Sequence, residues 1–251
     1  MNIELEAVYV IWLREVKRYF RAKERIISSL AMPLLWFLIF GIGLGPSIRF
    51  KSLDMEYSSF LAPGIVAMTL LFTSIFSGVS VIWDREFGFL REMLVAPVSR
   101  LSIVVGKSLG SATTAVIQGT MILVLSMLIG VKFTFLSILV LIPLMLVISF
   151  GFVSLGVAIA SLMETMEGFH MIMRLLVQPM FFLSGAFFPI NTLPEWLRYI
   201  VYINPMTHGV EVLRYVAIGF SSFPFHLSLF FTLMFSVITS LVGSYTFSRR
   251  Q

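Results

Sequence analysis

The sequence predicts an all-α integral membrane protein with six transmembrane helices, and three observations lead there. Only 12% of the 251 residues are charged while 58% are hydrophobic, against about 25% and 45–50% in soluble domains. A sphere of this size has too little interior to hide that much apolar surface, which excludes a soluble globular enzyme and a disordered chain. Six stretches hold no Asp, Glu, Lys or Arg: 26–48, 57–83, 108–131, 133–163, 175–194 and 215–248. About 20 residues of helix cross a hydrocarbon core, and helix pairs every peptide group that lipid cannot. The third observation is the Lys and Arg distribution. With six spans, 13 of these residues fall on the side of the termini and five on the other, which places both termini in the cytoplasm.

The predicted spans lie near 27–45, 61–83, 102–129, 136–161, 168–188 and 225–246, within one transmembrane domain covering 1–251. Ahead of them, 1–26 carries an interfacial helix. Leu5, Val8, Tyr9, Trp12, Leu13, Val16, Tyr19 and Phe20 recur on one side of 4–25, and Arg14, Lys17, Arg18, Arg21 and Arg25 on the other. Such a helix rests in the cytoplasmic headgroup layer against membrane lipid, or docks its basic face onto another protein. The long charged segment before the first apolar run is unlike a secretory signal peptide.

Between the second and third spans, 84–100 forms a cytoplasmic loop. Phe87, Leu90, Met93 and Leu94 share a helical face, and Pro97 closes the helix. An apolar face rimmed by charge rests on the bilayer or receives a cytosolic protein. On the opposite side, 189–224 is too apolar for a solvated loop. Pro194 opens a helix with Trp196 in its first turn, Asn204-Pro205 breaks it, and a second helix runs from Met206 to Ile218 with His208 and Arg214 on it. Two short helices joined by a break read as a re-entrant or interfacial hairpin.

Catalytic and cofactor chemistry finds little to build on. There is no cysteine and there are three histidines, which excludes disulfide, thiolate-metal and cysteine-nucleophile chemistry. Gly106-Lys107-Ser108 resembles the tail of a phosphate loop, but Leu101 occupies the position of its leading glycine. Glu167 and His170 show carboxylate-metal spacing in a single copy, where such sites need two. Gly106 and Gly110 match a small-xxx-small helix-packing pattern. Within the spans, Gln118 and Gln178 are the main strongly polar side chains, and Lys107 and Arg174 sit toward the cytoplasmic ends. A proton or ion pathway has nothing obvious to run on, so uphill transport needs energy from another polypeptide. The net charge of +5 follows membrane topology rather than a nucleic-acid-binding patch.

Three blocks resemble permeases of the type 2 ABC exporter family, which includes bacterial drug, lipid and polysaccharide exporters. They are Leu61-Ala-Pro-Gly-Ile65; Asp84-Arg-Glu with Leu-Val-Ala-Pro-Val-Ser-Arg100 and Gly106-Lys107; and Ser184-Gly-Ala-Phe-Phe-Pro189 with Leu193-Pro-Glu-Trp196 and Asn204-Pro-Met-Thr-His208, followed by Glu211 and Arg214. The resemblance, nearest the drug-resistance members, implies a non-enzymatic subunit of the cell inner membrane. It would pair with a second copy of itself or a paralogous permease and with a cytosolic ABC ATPase that holds the ATP and Mg, leaving no cofactor on this chain. It also implies that the loop helix transmits ATPase closure through Asp84, Arg85, Glu86, Phe87, Leu90, Arg91, Glu92 and Met93. The second and fifth spans would line an export path at the two-fold axis, capped by the outer hairpin of Pro194, Trp196, Asn204, Pro205, His208 and Arg214.

On those two spans, Thr69, Phe72, Thr73 and Phe76, and Gln178, Phe181, Phe182 and Ser184, combine aromatic and polar groups at helical spacing. They suit the efflux of an amphiphilic drug, lipid or glycan; the alternative is that these phenylalanines face lipid or pack. A rival class is an ATP-independent channel or secondary transporter. A membrane-embedded enzyme would need a catalytic cluster that the sequence does not offer.

Overall fold

The computed structural model describes residues 4–45, 55–87 and 98–250, and every regular element among them is helical. Helix α1 (Leu5–Arg21) stops at Ala22, whose φ of −91° and ψ of 67° leave helical space. The predicted single helix over 4–25 is therefore broken, because α1 lies along the helix Arg100–Leu128 while the chain must turn there to climb against the helix Tyr57–Phe76. Helix α2 (Lys23–Trp36) follows, with Pro33 inside it, and runs on as a π-helical segment, Phe37–Leu44. Helix α3 (Tyr57–Phe76) turns at Ser77-Gly78 into α4 (Val79–Glu86). Then come α5 (Arg100–Leu128), started by Ser99, whose hydroxyl accepts from the Ser102 N–H, and α6 (Phe135–Leu162). Helix α7 (Met166–Phe182) starts at Thr165, which caps the Gly168 N–H, and a single 3-10 turn, Ile190–Thr192, leads to α8 (Glu195–Ile203). Helix α9 (Pro205–Ile218) and the long α10 (Phe225–Arg250) complete the chain.

Helix α3 is the axis of the bundle. In its span, Tyr57–Glu86, 78% of the most apolar window is buried, against 17% to 50% in the other four spans. A lipid-facing helix leaves one side open; α3 is buried along most of its length because protein surrounds it. Its small residues let neighbours approach closely. One crossing is bare backbone: a Cβ on Gly78 would lie 2.5 Å from the Gly156 carbonyl oxygen, and one on Gly156 would lie 2.5 Å from that of Ile75. Helices α6 and α10 pair along most of their length, with Ser236 donating to the Val147 carbonyl at 2.8 Å and Phe152 against Phe235 at 4.9 Å.

Five helices among the described residues are long and apolar enough to cross a membrane: Ile26–Leu44, Tyr57–Glu86, Leu101–Leu128, Phe135–Leu162 and Phe225–Phe247. The expected fifth span, 168–188, corresponds to α7, which has 17 residues and so measures about 25 Å. It ends six residues early because the chain folds back at Leu183–Ala186, where Gly185 takes φ 70° and the Ser184 hydroxyl donates to the Phe181 carbonyl at 2.6 Å.

Candidate functional site

Four helices converge on one cavity of about 360 Å³, within the range of small-molecule sites. Helix α2 supplies Ser28, Ser29, Met32, Pro33 and Trp36; α3 supplies Met68, Thr69, Phe72, Thr73 and Phe76. Gln118 of α5 and Gln178, Phe181 and Phe182 of α7 complete the lining. The spacing on α3 and α7 is that of one helical face, so each contributes a stripe. The aromatic rings interlock: Phe72 meets Phe181 edge-on at 5.9 Å and stacks on Phe76 at 6.2 Å, and Trp36 meets Phe182 edge-on at 6.0 Å. Two of the polar lining groups meet directly, the Thr73 hydroxyl donating to Gln118 Oε1 at 2.5 Å. The Thr69 hydroxyl is turned onto its own helix, donating to the Ile65 carbonyl at 2.9 Å.

Seven of the eight residues that the sequence assigned to a path on the second and fifth spans line this cavity. Ser184 does not. It is buried in the turn after α7, where its oxygen also accepts from the Ala186 N–H at 3.3 Å. Sequence reasoning missed the α2 wall and left Gln118 without a partner. Ser28-Ser29 and Pro33 in an otherwise apolar run were the available signal.

At the predicted cytoplasmic end, Asp84 is buried rather than facing solvent as its place in a loop had suggested. Its carboxylate pairs with Lys107 of α5 and, at 3.4 Å, with Arg14 of α1. Arg85 donates to the Met163 carbonyl at the end of α6. Glu86 and Phe87 are exposed, Phe87 at 72%. Leu90, Arg91, Glu92 and Met93 lie outside the described residues.

Helix α1 also departs from expectation. Val8 and Tyr19 are buried, and Trp12 Nε1 donates to the Thr113 hydroxyl at 3.0 Å. Leu5, Tyr9 and Phe20 from the same predicted face remain exposed. The basic side is not wholly outward either, since Arg14 reaches Asp84 and the Arg18 guanidinium lies 5.4 Å from the Trp83 ring centroid. The Gly106–Gly110 pattern is the seat of this helix: a Cβ on Gly110 would lie 2.6 Å from the Glu15 Cβ.

At the opposite end, Asn204 ends α8 and caps α9, accepting from the Met206 N–H at 3.0 Å while its amide donates to the carbonyls of Met180 (2.6 Å) and Leu183 (3.1 Å). Pro205 follows as the first residue of α9, a position that needs no N–H. Arg214 is fully buried, pairs with Glu211, and donates to the Gly185 carbonyl at 2.9 Å. Burial holds the His208 imidazole below its ordinary pKa, against the opposing pull of the Tyr202 carbonyl and the Glu211 charge. Pro194 and Trp196 are exposed.

A family model described as ABC-2 type transporter matches residues 6–218. The chain is 32% identical over 229 residues to the transport permease ycf38 of Cyanophora paradoxa, spanning 88% of this chain and 79% of that protein. It is 30% identical over 213 residues to nodulation protein J of Rhizobium meliloti (83% and 80% of the two chains), and 28% over 216 residues to that of Rhizobium leguminosarum bv. viciae (83% and 82%).

Proposed function

The chain belongs to the ABC-2 type transporter family, and from that premise we propose that it is the transmembrane half of an exporter, working as two copies with a separate cytosolic ATPase subunit. The cargo is an amphiphilic drug, lipid or glycan, the membrane is the cell inner membrane, and both termini are cytoplasmic. The observation that carries this reading is the cavity between α2, α3, α5 and α7, with aromatic walls for an apolar body and hydrogen-bonding groups at Thr73, Gln118 and Gln178.

Its surroundings suit a conduit driven from one end. Asp84 ties α4 to α5 and α1, and Arg85 ties α4 to the end of α6. A displacement delivered to α4 through the predicted coupling loop, 84–100, would therefore reach four helices together. At the other end, Asn204 and Arg214 hold the turn after α7 to α9, fixing the far rim. ATP binding to the partner need only favour one arrangement of the loop over another to bias the cavity between two states. Among the described residues no ionisable side chain lines the cavity, which accords with an external source of energy.

Proteoliposomes holding the chain with its cassette ATPase test the proposal. Export of a fluorescent amphiphile should require ATP and fall in the Glu86 and Glu92 substitution variants. Accumulation against a gradient by the chain alone, without nucleotide, would overturn it in favour of a secondary transporter.

A further inference from the structure

Thr73 and Gln118, which meet at 2.5 Å, line the apolar cavity and also a second space of about 40 Å³. The second space is different in kind. Hydroxyls of Ser77, Ser111 and Thr114 surround it, and Glu15 enters it from α1. Glu15 is only 8% exposed, and its Oε1 is fully enclosed with no hydrogen bond to any described residue. Arg18 also reaches this space, but its guanidinium is placed over the Trp83 ring. Nothing about α1 as an amphipathic helix requires a buried acid at this position. Glu15 is there because Gly110 lets the two helices touch, and a buried carboxylate oxygen without a partner is costly unless something fills the role.

The space would hold about three waters or one ammonium group. Its donors and acceptors favour the second. A carboxylate accepts a charge-assisted hydrogen bond, and serine and threonine oxygens accept the remaining ammonium protons. We propose that Glu15 receives the primary ammonium group of an amphiphile whose apolar body occupies the cavity between α2, α3, α5 and α7. This rests on reading that cavity as the transport site and narrows its cargo to amines. The two spaces share Thr73 and Gln118 as lining residues, so the head group and the body of one amphiphile would meet at that pair. An alcohol or an anionic head group leaves Glu15 without a cation and is selected against.

Binding of radiolabelled dodecylamine and dodecanol to the whole chain in phosphatidylcholine nanodiscs, with empty nanodiscs as blank, tests the assignment. The wild type should bind the amine about tenfold more tightly than the alcohol, and Glu15→Gln should bring the two to parity without weakening the alcohol. Should Gln disturb folding, Glu15→Asp decides: it keeps the charge but draws it back by a methylene, and the preference must fall. Equal binding of both probes by the wild type, or an undiminished preference in the Glu15 variants, overturns the assignment and leaves the cavity reading standing. Met32→Trp, which fills the cavity, should weaken both probes. If it weakens neither, or if the wild type binds neither, the cavity reading fails and the assignment with it.

Discussion

Lys107 and Asp84 form an ion pair in which each side chain keeps only 3% of its surface exposed. Lys107 Nζ also donates to the Ser80 carbonyl at 3.4 Å, and Arg14, itself 38% exposed, reaches the other Asp84 oxygen at 3.4 Å. One carboxylate thus joins α4, α5 and α1. The two cations are not equivalent. Lys107 is enclosed with the acid, whereas water screens much of what Arg14 contributes.

Replacing Lys107 by Met leaves Asp84 buried with one distant, partly solvated cation. Removing one partner of a buried pair costs about 3–5 kcal/mol, so thermal unfolding in detergent should shift down sharply, and ATPase stimulation in the reconstituted complex should be lost. Arg14→Gln should cost no more than about 1 kcal/mol. Adding Asp84→Asn to Lys107→Met should recover part of the loss, because two neutral groups need no pairing. Equal shifts for the Arg14 and Lys107 variants would contradict this division of roles.

Local pattern made some of this legible and not the rest. Charge-free stretches marked five of the spans because lipid excludes ions, and Asn204-Pro205 marked its break because proline cannot continue a helix and asparagine caps one. The stripes on α3 and α7 were visible because one helical face carries them, and both fall on one cavity. The α2 wall left only a faint trace, Ser28-Ser29 and Pro33, since these residues and Trp36 meet the cavity through packing against residues far along the chain. Glu15 was hidden for the same reason: its burial is decided by Gly110, on another helix. The buried turn after α7 stayed apolar in sequence although its backbone leaves the helix, so composition overstated the length of that span.

His208 gives the α8–α9 hairpin a pH dependence with a definite sign. Its Nε2 is 3.0 Å from the Tyr202 carbonyl, which fits a donating N–H, while buried Nδ1 has no partner among the described residues. The ring stacks on Phe231 at 4.6 Å. Burial lowers its pKa, with the Tyr202 carbonyl and Glu211 opposing. Above the ordinary value of 6.5, the imidazole is neutral folded and unfolded, and its contribution to stability is complete. As pH falls below that value the unfolded ring takes up a proton first, so stability is lost until the lowered folded pKa is passed. Thermal unfolding should therefore decline more steeply on mild acidification in the wild type than in His208→Gln, which keeps a donor to Tyr202. Parallel curves would refute the assignment.

Arg214 should prove the least replaceable cation at this end of the molecule. Its guanidinium pairs with Glu211, donates to the carbonyls of Gly185 (2.9 Å) and Ala186 (3.4 Å), and lies 3.9 Å from the Phe60 ring centroid. One planar group thereby ties α9 to the turn after α7 and to α3. Lysine carries the charge but not the fork that satisfies an acid and two carbonyls together. Arg214→Met leaves Glu211 buried with, among the described residues, only the Ser221 hydroxyl, at 3.1 Å, and the Ser222 N–H, a loss of about 3–5 kcal/mol; Arg214→Lys should lose less. The turn follows directly on Phe181 and Phe182 of the cavity wall, so loosening it disturbs the cavity before the bundle unfolds. In Arg214→Lys, ATP-dependent export should fall by a larger factor than the folded fraction at the assay temperature. Export that merely tracks the folded fraction would reduce Arg214 to a structural role.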